Sequence, residues 1–336
     1  MKKTGTLLIL FLVIGGFTYY LTTKKDTKTT LLTEARNFAV ADIDQVHKIF
    51  IADRNGKNIT LERQKNHWQL NGKHRANPNA VSTLLNTIQK LKIKYTPPRT
   101  AIKNIINDIA TNNIKVEIYN RSGEKIKGYY VGGVTNDELG THMIKEDEEE
   151  PFVTYVPGFE GSLRVRYMTD EINWRDKAIF QERLSAIQSV SIEYPKQKNK
   201  SFKLVRNGKS FDLMPFYENT AKINRPLAKG QIEKYLIGYE RLVAENFANH
   251  YQERDSIEQL LPFSIIRLKT ANAEEKVVKL HPILKKSKTG QILLSDEGTG
   301  IVEKYFADVD GADFMLIQHL VFGKILWGYE NFYYVQ

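Results

Sequence analysis

The feature that most constrains how this chain folds is an internal repeat. Val46, Ile49 and Ile51 recur as Ile187, Val190 and Ile192, and each set heads a strand-like stretch, VHKIFI and IQSVSI. A polar turn follows both, DRNGKN in one and YPKQKNK in the other. Next, ITLERQKNHWQL and FKLVRNGKSFDL align Leu61, Arg63, Trp68 and Leu70 with Leu204, Arg206, Phe211 and Leu213. The pattern reads as strand, turn, strand, with an aromatic in the third strand of each copy.

A helix is expected next in each copy. Val81, Leu84, Leu85, Ile88 and Leu91 form one apolar stripe, and Ile232, Tyr235, Leu236, Tyr239 and Leu242 repeat its spacing. Asn77-Pro78 and Asn224-Arg225-Pro226 lie upstream, as helix starts do. The correspondence continues through a short helix (102–110 against 256–261) and the strands IKVEIYN and SIIRLKT. KIKGYYVGG then parallels KVVKLHPIL. Finally FVTYVPGF and FMLIQHLVFG each follow an acidic turn, Glu146 to Glu150 in one and Asp308 to Asp313 in the other. The period is roughly 140–150 residues, a domain length rather than a solenoid unit. The expected fold class is therefore α+β: two tandem similar domains of antiparallel strands with helices packed on one face. One continuous sheet shared by both copies fits the same pattern.

The N-terminus carries a second strong signal. Lys2 and Lys3 precede an uncharged apolar run from Thr6 to Leu21, with Tyr19 and Tyr20 at its far end and Lys24 and Lys25 just beyond. A cleaved signal peptide and an uncleaved signal anchor both match. The lack of small residues at a cleavage position favours the anchor. Lys2 and Lys3 argue for a cytoplasmic N-terminus, and Lys24, Lys25 and Lys28 for the reverse. The short tail is easily retained, which places the large part outside the cytoplasm. The organisation read from the sequence is a cytoplasmic tail (1–4), a transmembrane signal anchor (5–22) and a linker (23–39). A first α+β domain (40–165), a connector (166–183) and a second α+β domain (184–336) follow.

Composition and motifs narrow the chemistry. The 336 residues contain no cysteine, which excludes disulfides, thiolate metal sites and a cysteine nucleophile. Lys plus Arg number 49 against 39 Asp plus Glu, a net charge of +10 that is spread along the chain. Gly128, Gly132, Gly133 and Gly140 match neither phosphate-loop nor dinucleotide spacing and read as tight turns between strands. His47, His67, His74, His142, His250, His281 and His319 form no paired metal-ligand spacing. Asp308, Asp310 and Asp313 around Gly311 break the calcium-loop order and read as a solvated turn. No serine-hydrolase elbow is present. The basic stretches are Lys90 to Lys94, which continues a helix into a linker, and two turns, Lys196 to Lys200 and Lys285 to Lys288. None is interleaved with aromatics as single-strand binding requires. The aromatic C-terminus, ILWGYENFYYVQ, is expected to be a strand closing the second sheet with alternate rings buried.

Several segments together resemble a known family. They are the N-terminal anchor, the run RNFAVADIDQVHKIFIADRNGKNITLERQKNHWQLNGKHRANPNAVSTLLNTIQKL, GYYVGG, FVTYVPGF and INWRDKAIF. They resemble the bacterial family named domain of unknown function 4340, over roughly residues 37 to 260. Its motifs here are Phe38-Ala39-Val40, Arg63 with Trp68, Tyr130 with Gly132-Gly133, and Trp174-Arg175-Asp176, and they read as structural. The resemblance implies no catalytic residue. Some members accompany components of an ABC transporter linked to gliding motility, which implies an envelope accessory role.

The sequence thus leads to a membrane-anchored extracytoplasmic protein of the inner membrane. It is expected to act as a non-enzymatic scaffold or accessory of an envelope complex, which an ABC transporter would exemplify. The alternative is a binding module for an envelope glycan or lipid in the cleft between the two repeats. Expected partners are the lipid bilayer through residues 5–22 and an envelope protein; nucleic acid is not expected. No catalytic, cofactor-binding or metal-ligating residue is assigned, and no cofactor.

Overall fold

The computed structural model describes residues 37–272, 275–296 and 298–334. The expected tail, anchor and most of the linker lie outside the described residues. Among the described residues no helix is long and apolar enough to cross a membrane. The chain divides into two units, Met1–Asp176 and Lys177–Gln336. Both are rich in antiparallel strands and carry few helices, an α+β architecture.

The first unit opens with four strands in a meander: β1 (Lys48–Asp53), β2 (Asn58–Arg63), β3 (Trp68–Leu70) and β4 (His74–Arg75). Helix α1 (Pro78–Lys90), strand β5 (Lys92–Tyr95) and helix α2 (Arg99–Asn112) follow. Strands β6 (Ile114–Tyr119), β7 (Lys125–Val134), β8 (Thr141–Lys145) and β9 (Phe152–Tyr155) complete it. They form one sheet in the order β4-β3-β2-β1-β6-β7-β8-β9-β5, antiparallel throughout. Alternation decides which face is core: Ile49 and Ile51 of β1 and Ile114, Val116 and Ile118 of β6 point inward, and their neighbours outward. Asn77 caps α1, its side chain accepting from the Asn79 and Ala80 amides, with Pro78 in the first turn. Val81, Leu84, Leu85 and Ile88 of that helix are buried against the inward face. At about 1.5–3 kcal/mol for each buried aliphatic side chain, this stripe holds the helix in place.

The second unit pairs β10 (Ala178–Phe180) with β14 (Leu242–Val243) in a separate ribbon. Its main sheet contains β11 (Ile187–Glu193), β12 (Phe202–Asn207), β13 (Ser210–Pro215), β15 (Asn246–Phe247) and β16 (Ser264–Thr270). Strands β17 (Glu275–Leu284), β18 (Val302–Val309) and β19 (Asp313–Gln318) complete it. The order is β13-β12-β11-β16-β17-β18-β19-β15, again antiparallel. Three short helices accompany it: α3 (Gln231–Ile237), α4 (Arg254–Glu258) and α5 (His319–Phe322).

Several expectations are corrected. Helices do not keep to one face of the first sheet. Ile109 of α2 rests on Gly132, whose neighbour Val131 points into the α1-side core, so α2 covers the opposite face. Gly128, Gly132 and Gly133 lie inside β7 rather than in turns. A Cβ on Gly132 would come within 2.6 Å of Ile109 Cγ1, so the glycine is what lets helix and sheet approach. Helix α3 ends at Ile237, before Tyr239 and Leu242. A Cβ at Gly238 would stand 2.8 Å from the Tyr235 carbonyl oxygen, and the stripe continues as a turn and then β14. Pro226 is not at a helix start; Gly230, at φ 77°, precedes α3 instead. Lys92 to Tyr95 is an edge strand, not a linker.

The C-terminal aromatics form single helical turns rather than a strand. Tyr329, Phe332 and Tyr333 are buried at i, i+3, i+4 spacing, a helical period that the aromatic content masks. Residues 166–176 are folded into the first unit rather than serving as a connector: Tyr167 and Trp174 are fully buried, and the Trp174 carbonyl accepts from the Asn77 amide at 2.7 Å. Phe38, placed in the linker by sequence, packs edge-on against Tyr129 and Phe152 in the core.

Candidate functional site

A groove of about 430 Å³ opens in the first unit between α1 and the β3–β4 hairpin. Its floor is apolar: Val81 and Leu85 of the helix and the half-buried ring of Trp68. Its rim is made of exposed amides and an imidazole, Asn66, His67, Asn86 and Gln89. Helical spacing explains the rim, because Ser82, Asn86 and Gln89 run along the flank of the stripe that α1 buries. Gln89 is fixed in part by donating to the Ala41 carbonyl at 3.1 Å. Arg63 sets the Trp68 ring. Its guanidinium carbon lies 5.1 Å from the ring centroid, and Nη2 donates to the Ile43 carbonyl at 2.8 Å. An apolar platform edged by amides can stack and hydrogen-bond a ligand. The groove lining offers neither paired carboxylates nor a nucleophile beside a base.

The same arginine device occurs in the second unit. Arg206 lies 4.5 Å over the Phe211 ring and donates from Nε to the Ile187 carbonyl at 2.7 Å and from Nη2 to the Leu184 carbonyl. The motif of Arg63 with Trp68 is thus structural in its geometry, tying a cross-strand aromatic to the segment that leads into the sheet. Trp174 likewise anchors backbone, its indole N–H donating to the Met168 carbonyl at 2.8 Å.

The histidines are dispersed. His67 lines the groove and His74 Nε2 lies 3.4 Å from Glu171. His319 Nδ1 shares a 2.9 Å hydrogen bond with the Tyr305 hydroxyl. His142 is half-buried, and its burial holds the imidazole below the usual histidine range against the pull of Asp108. His281 is buried in β17, with Nε2 unpartnered among the described residues. Burial depresses its affinity for a proton, Lys279 adds to the effect, and Asp308 and Glu258 oppose it.

The aspartates around Gly311 do not converge. Asp308 is buried, not solvated; it accepts from Lys279 Nζ and from the Gly311 amide, each at 3.0 Å. Asp310 accepts from the Val277 amide at 2.7 Å, and Asp313 from Asn249 at 3.1 Å. Among the described residues no group of three or more histidine, aspartate or glutamate side chains is placed to hold a metal ion.

The outer face of the first sheet carries a closed ion network that sequence reading missed. Lys115 lies 2.8 Å from Glu117 and 2.9 Å from Glu146, and Lys125 lies 2.5 Å from Glu146. Burial pushes both carboxyls upward, but the lysines outweigh it and hold them below the usual range. Period-2 spacing of Lys115 and Glu117 was the available signal, but Glu146 enters from the turn that follows β8, a strand two places away in the sheet.

Compared with known proteins, the chain matches one family model, described as domain of unknown function (DUF4340), over residues 68–261. That span starts at Trp68 of the groove and runs across the unit boundary into the second unit. No curated protein and no solved structure matches.

Proposed function

The chain belongs to the family of domain of unknown function 4340, and on that premise we propose that it is a membrane-tethered, non-enzymatic accessory protein that binds a protein partner of the cell envelope. The observation that carries this reading is the groove over Trp68: a platform fixed by Arg63, rimmed by amides and lacking catalytic chemistry. Residues 5–22 supply the tether and place the remainder outside the cytoplasm at the inner membrane. The two units are tandem copies of one α+β domain. Two observations support the duplication. Read from one edge, β3-β2-β1-β6-β7-β8-β9-β5 runs in the same sense as β13-β12-β11-β16-β17-β18-β19-β15. The arginine–aromatic pair recurs at matching places. An assembly with an ABC transporter follows from the family resemblance alone.

A photo-crosslinking amino acid at Asn86, in the groove, and at Lys103, on α2, tests the partner reading in intact cells. A discrete heterologous adduct from position 86 and none from position 103 is expected. Equal adduct patterns, or none from either, would overturn it. A second reading, glycan binding, is favoured by the pairing of an indole platform with amide rims, which suits a sugar ring. Retention on immobilised envelope glycan, lost in Trp68→Ala, would select that reading. A phosphatase reporter fused after Gln336 checks the topology and must be active only outside the cytoplasm.

A further inference from the structure

A larger concavity, about 870 Å³, lies on the outer face of the second unit's sheet. Four cations line it, Lys203, Arg206, Arg267 and Lys269, against one carboxylate, Glu275. Register fixes their layout. Lys203 of β12, Ser191 of β11 and Arg267 of β16 stand side by side, and one step along the strands come Val205, Ser189 and Lys269. At about 4.8 Å between strands, Lys203 and Arg267 start about 10 Å apart, and Lys269 starts about 7 Å along the strand from Arg267. The small hydroxyl side chains of Ser189 and Ser191 form the floor between them. Phe216 leans in from the rim, its ring centroid 5.8 Å from both Lys203 Nζ and the Arg267 guanidinium carbon.

The charges on this face are not balanced internally. Arg206 is committed to the Ile187 and Leu184 carbonyls, and Arg267 spends one nitrogen on Glu193 at 3.0 Å. Lys203 makes no ion pair among the described residues, and Lys269 makes none within 4 Å although Glu275 stands cross-strand from it, so the lining keeps an excess of cations. The first unit's outer face is built differently: there Lys115 and Lys125 are matched by Glu117 and Glu146. Two ammonium groups, faced by the single carboxylate of Glu275, and a half-engaged guanidinium around a hydroxyl floor in a concave face leave a net positive field that attracts and orients oxyanions.

We propose that this face of the second unit binds a soluble oligoanion carrying several phosphate groups. Lys203 and Arg267 clasp one phosphate across Ser191, and Lys269 takes a neighbouring one beside Ser189. This site is separate from the groove over Trp68 and stands or falls independently of it.

Isothermal titration of the full chain with tripolyphosphate tests the assignment. Saturable binding is expected, weakened by raising NaCl from 50 to 300 mM as screening shortens the reach of the charges. The double variant Lys203→Gln/Lys269→Gln should bind at least tenfold more weakly while melting like the parent, and Lys203→Arg/Lys269→Arg should stay within threefold. Lys103→Gln, on α2 of the first unit, should bind unchanged. Glycerol phosphate, a single lipid-headgroup phosphate, should bind at least tenfold more weakly than tripolyphosphate. The proposal is overturned if the double glutamine variant binds like the parent, or if Lys103→Gln weakens binding equally. It is also overturned if citrate or glycerol phosphate matches tripolyphosphate, which would mean that the face reads charge alone or a single headgroup.

Discussion

Replacing Arg206 with Met keeps the aliphatic stem over Phe211 and removes everything the guanidinium does. Two charge-assisted hydrogen bonds disappear, from Nε to the Ile187 carbonyl and from Nη2 to the Leu184 carbonyl. A bond of this kind contributes about 1.5–3 kcal/mol, and the lower figure suits a partly exposed side chain. The cation over the Phe211 ring at 4.5 Å adds about 0.5–1 kcal/mol. The expected cost is therefore about 3–4 kcal/mol. Arg63 offers an internal comparison. It makes one such bond, to Ile43, sits farther from its ring at 5.1 Å, and leaves its buried Nε unpartnered. Its 3.4 Å contact with the highly exposed Asp44 adds little. Arg63→Met should cost only about 2 kcal/mol on the same scale. Because the chain has two units, urea unfolding is best followed by hydrogen exchange, reading protection over residues 184–214 for one variant and 43–70 for the other. Arg206→Lys, which keeps one bond, should fall between parent and Met. A loss below about 1 kcal/mol for Arg206→Met, or an Arg63→Met cost equal to it, would show that these bonds do not tether the sheet.

Two further outcomes follow from the packing. Gly132→Val should force α2 off the sheet at a cost of about 1–3 kcal/mol, and Ile109→Ala in the same chain should recover part of it; thermal melting of the single and double variants checks this. His281 is buried with its folded-state proton affinity depressed, so its contribution is present above the unfolded value near 6.5 and is lost as pH falls below it. Lys279, Asp308 and Glu258 are the charged groups acting on it. The midpoint of urea unfolding should drop between pH 7 and 5 in the parent and drop less in His281→Gln; equal slopes would assign the acid sensitivity elsewhere.

Much of the fold was legible because it depends on period. Ile49 and Ile51, like Val190 and Ile192, alternate along strands that sit mid-sheet with one face buried, so a period of two survives in the sequence. Helix α1 was readable from its stripe and its Asn77-Pro78 start for the same reason. What failed involved two signals in competition. In the 232–242 stripe the apolar spacing continues past Gly238, but the helix does not: it ends at Ile237, and Gly238, which packs too close to the Tyr235 carbonyl to carry a side chain, begins the turn that leads to β14. Trp327 to Tyr334 is rich in strand-favouring rings, and composition hid the i, i+3, i+4 spacing of Tyr329, Phe332 and Tyr333. The face that α2 covers was unreadable for another reason: side selection depends on Gly132, and a glycine carries no hydrophobic signal. Of the groove, Trp68 and Arg63 were visible as a pair, but the rim required knowing that α1 lies beside β3 and β4. The cation-lined face was invisible because Lys203 and Lys269 are far apart in the chain and meet only through the β12–β11–β16 register.

Strand β5 has a consequence for how this protein behaves at high concentration. It is the outermost strand at one end of a nine-stranded sheet, and both of its lysines, Lys92 and Lys94, are solvent-facing or nearly so. Any foreign strand that zipped onto that rim would have to strip water from the Lys92 ammonium and crowd it, together with the Lys94 ammonium that donates to the Leu139 carbonyl at 3.2 Å, against its own backbone. The rim thus acts as a chemical guard rail: it leaves hydrogen-bonding groups open along one border of the molecule while discouraging the fibrous, sheet-on-sheet growth that such a border would otherwise invite.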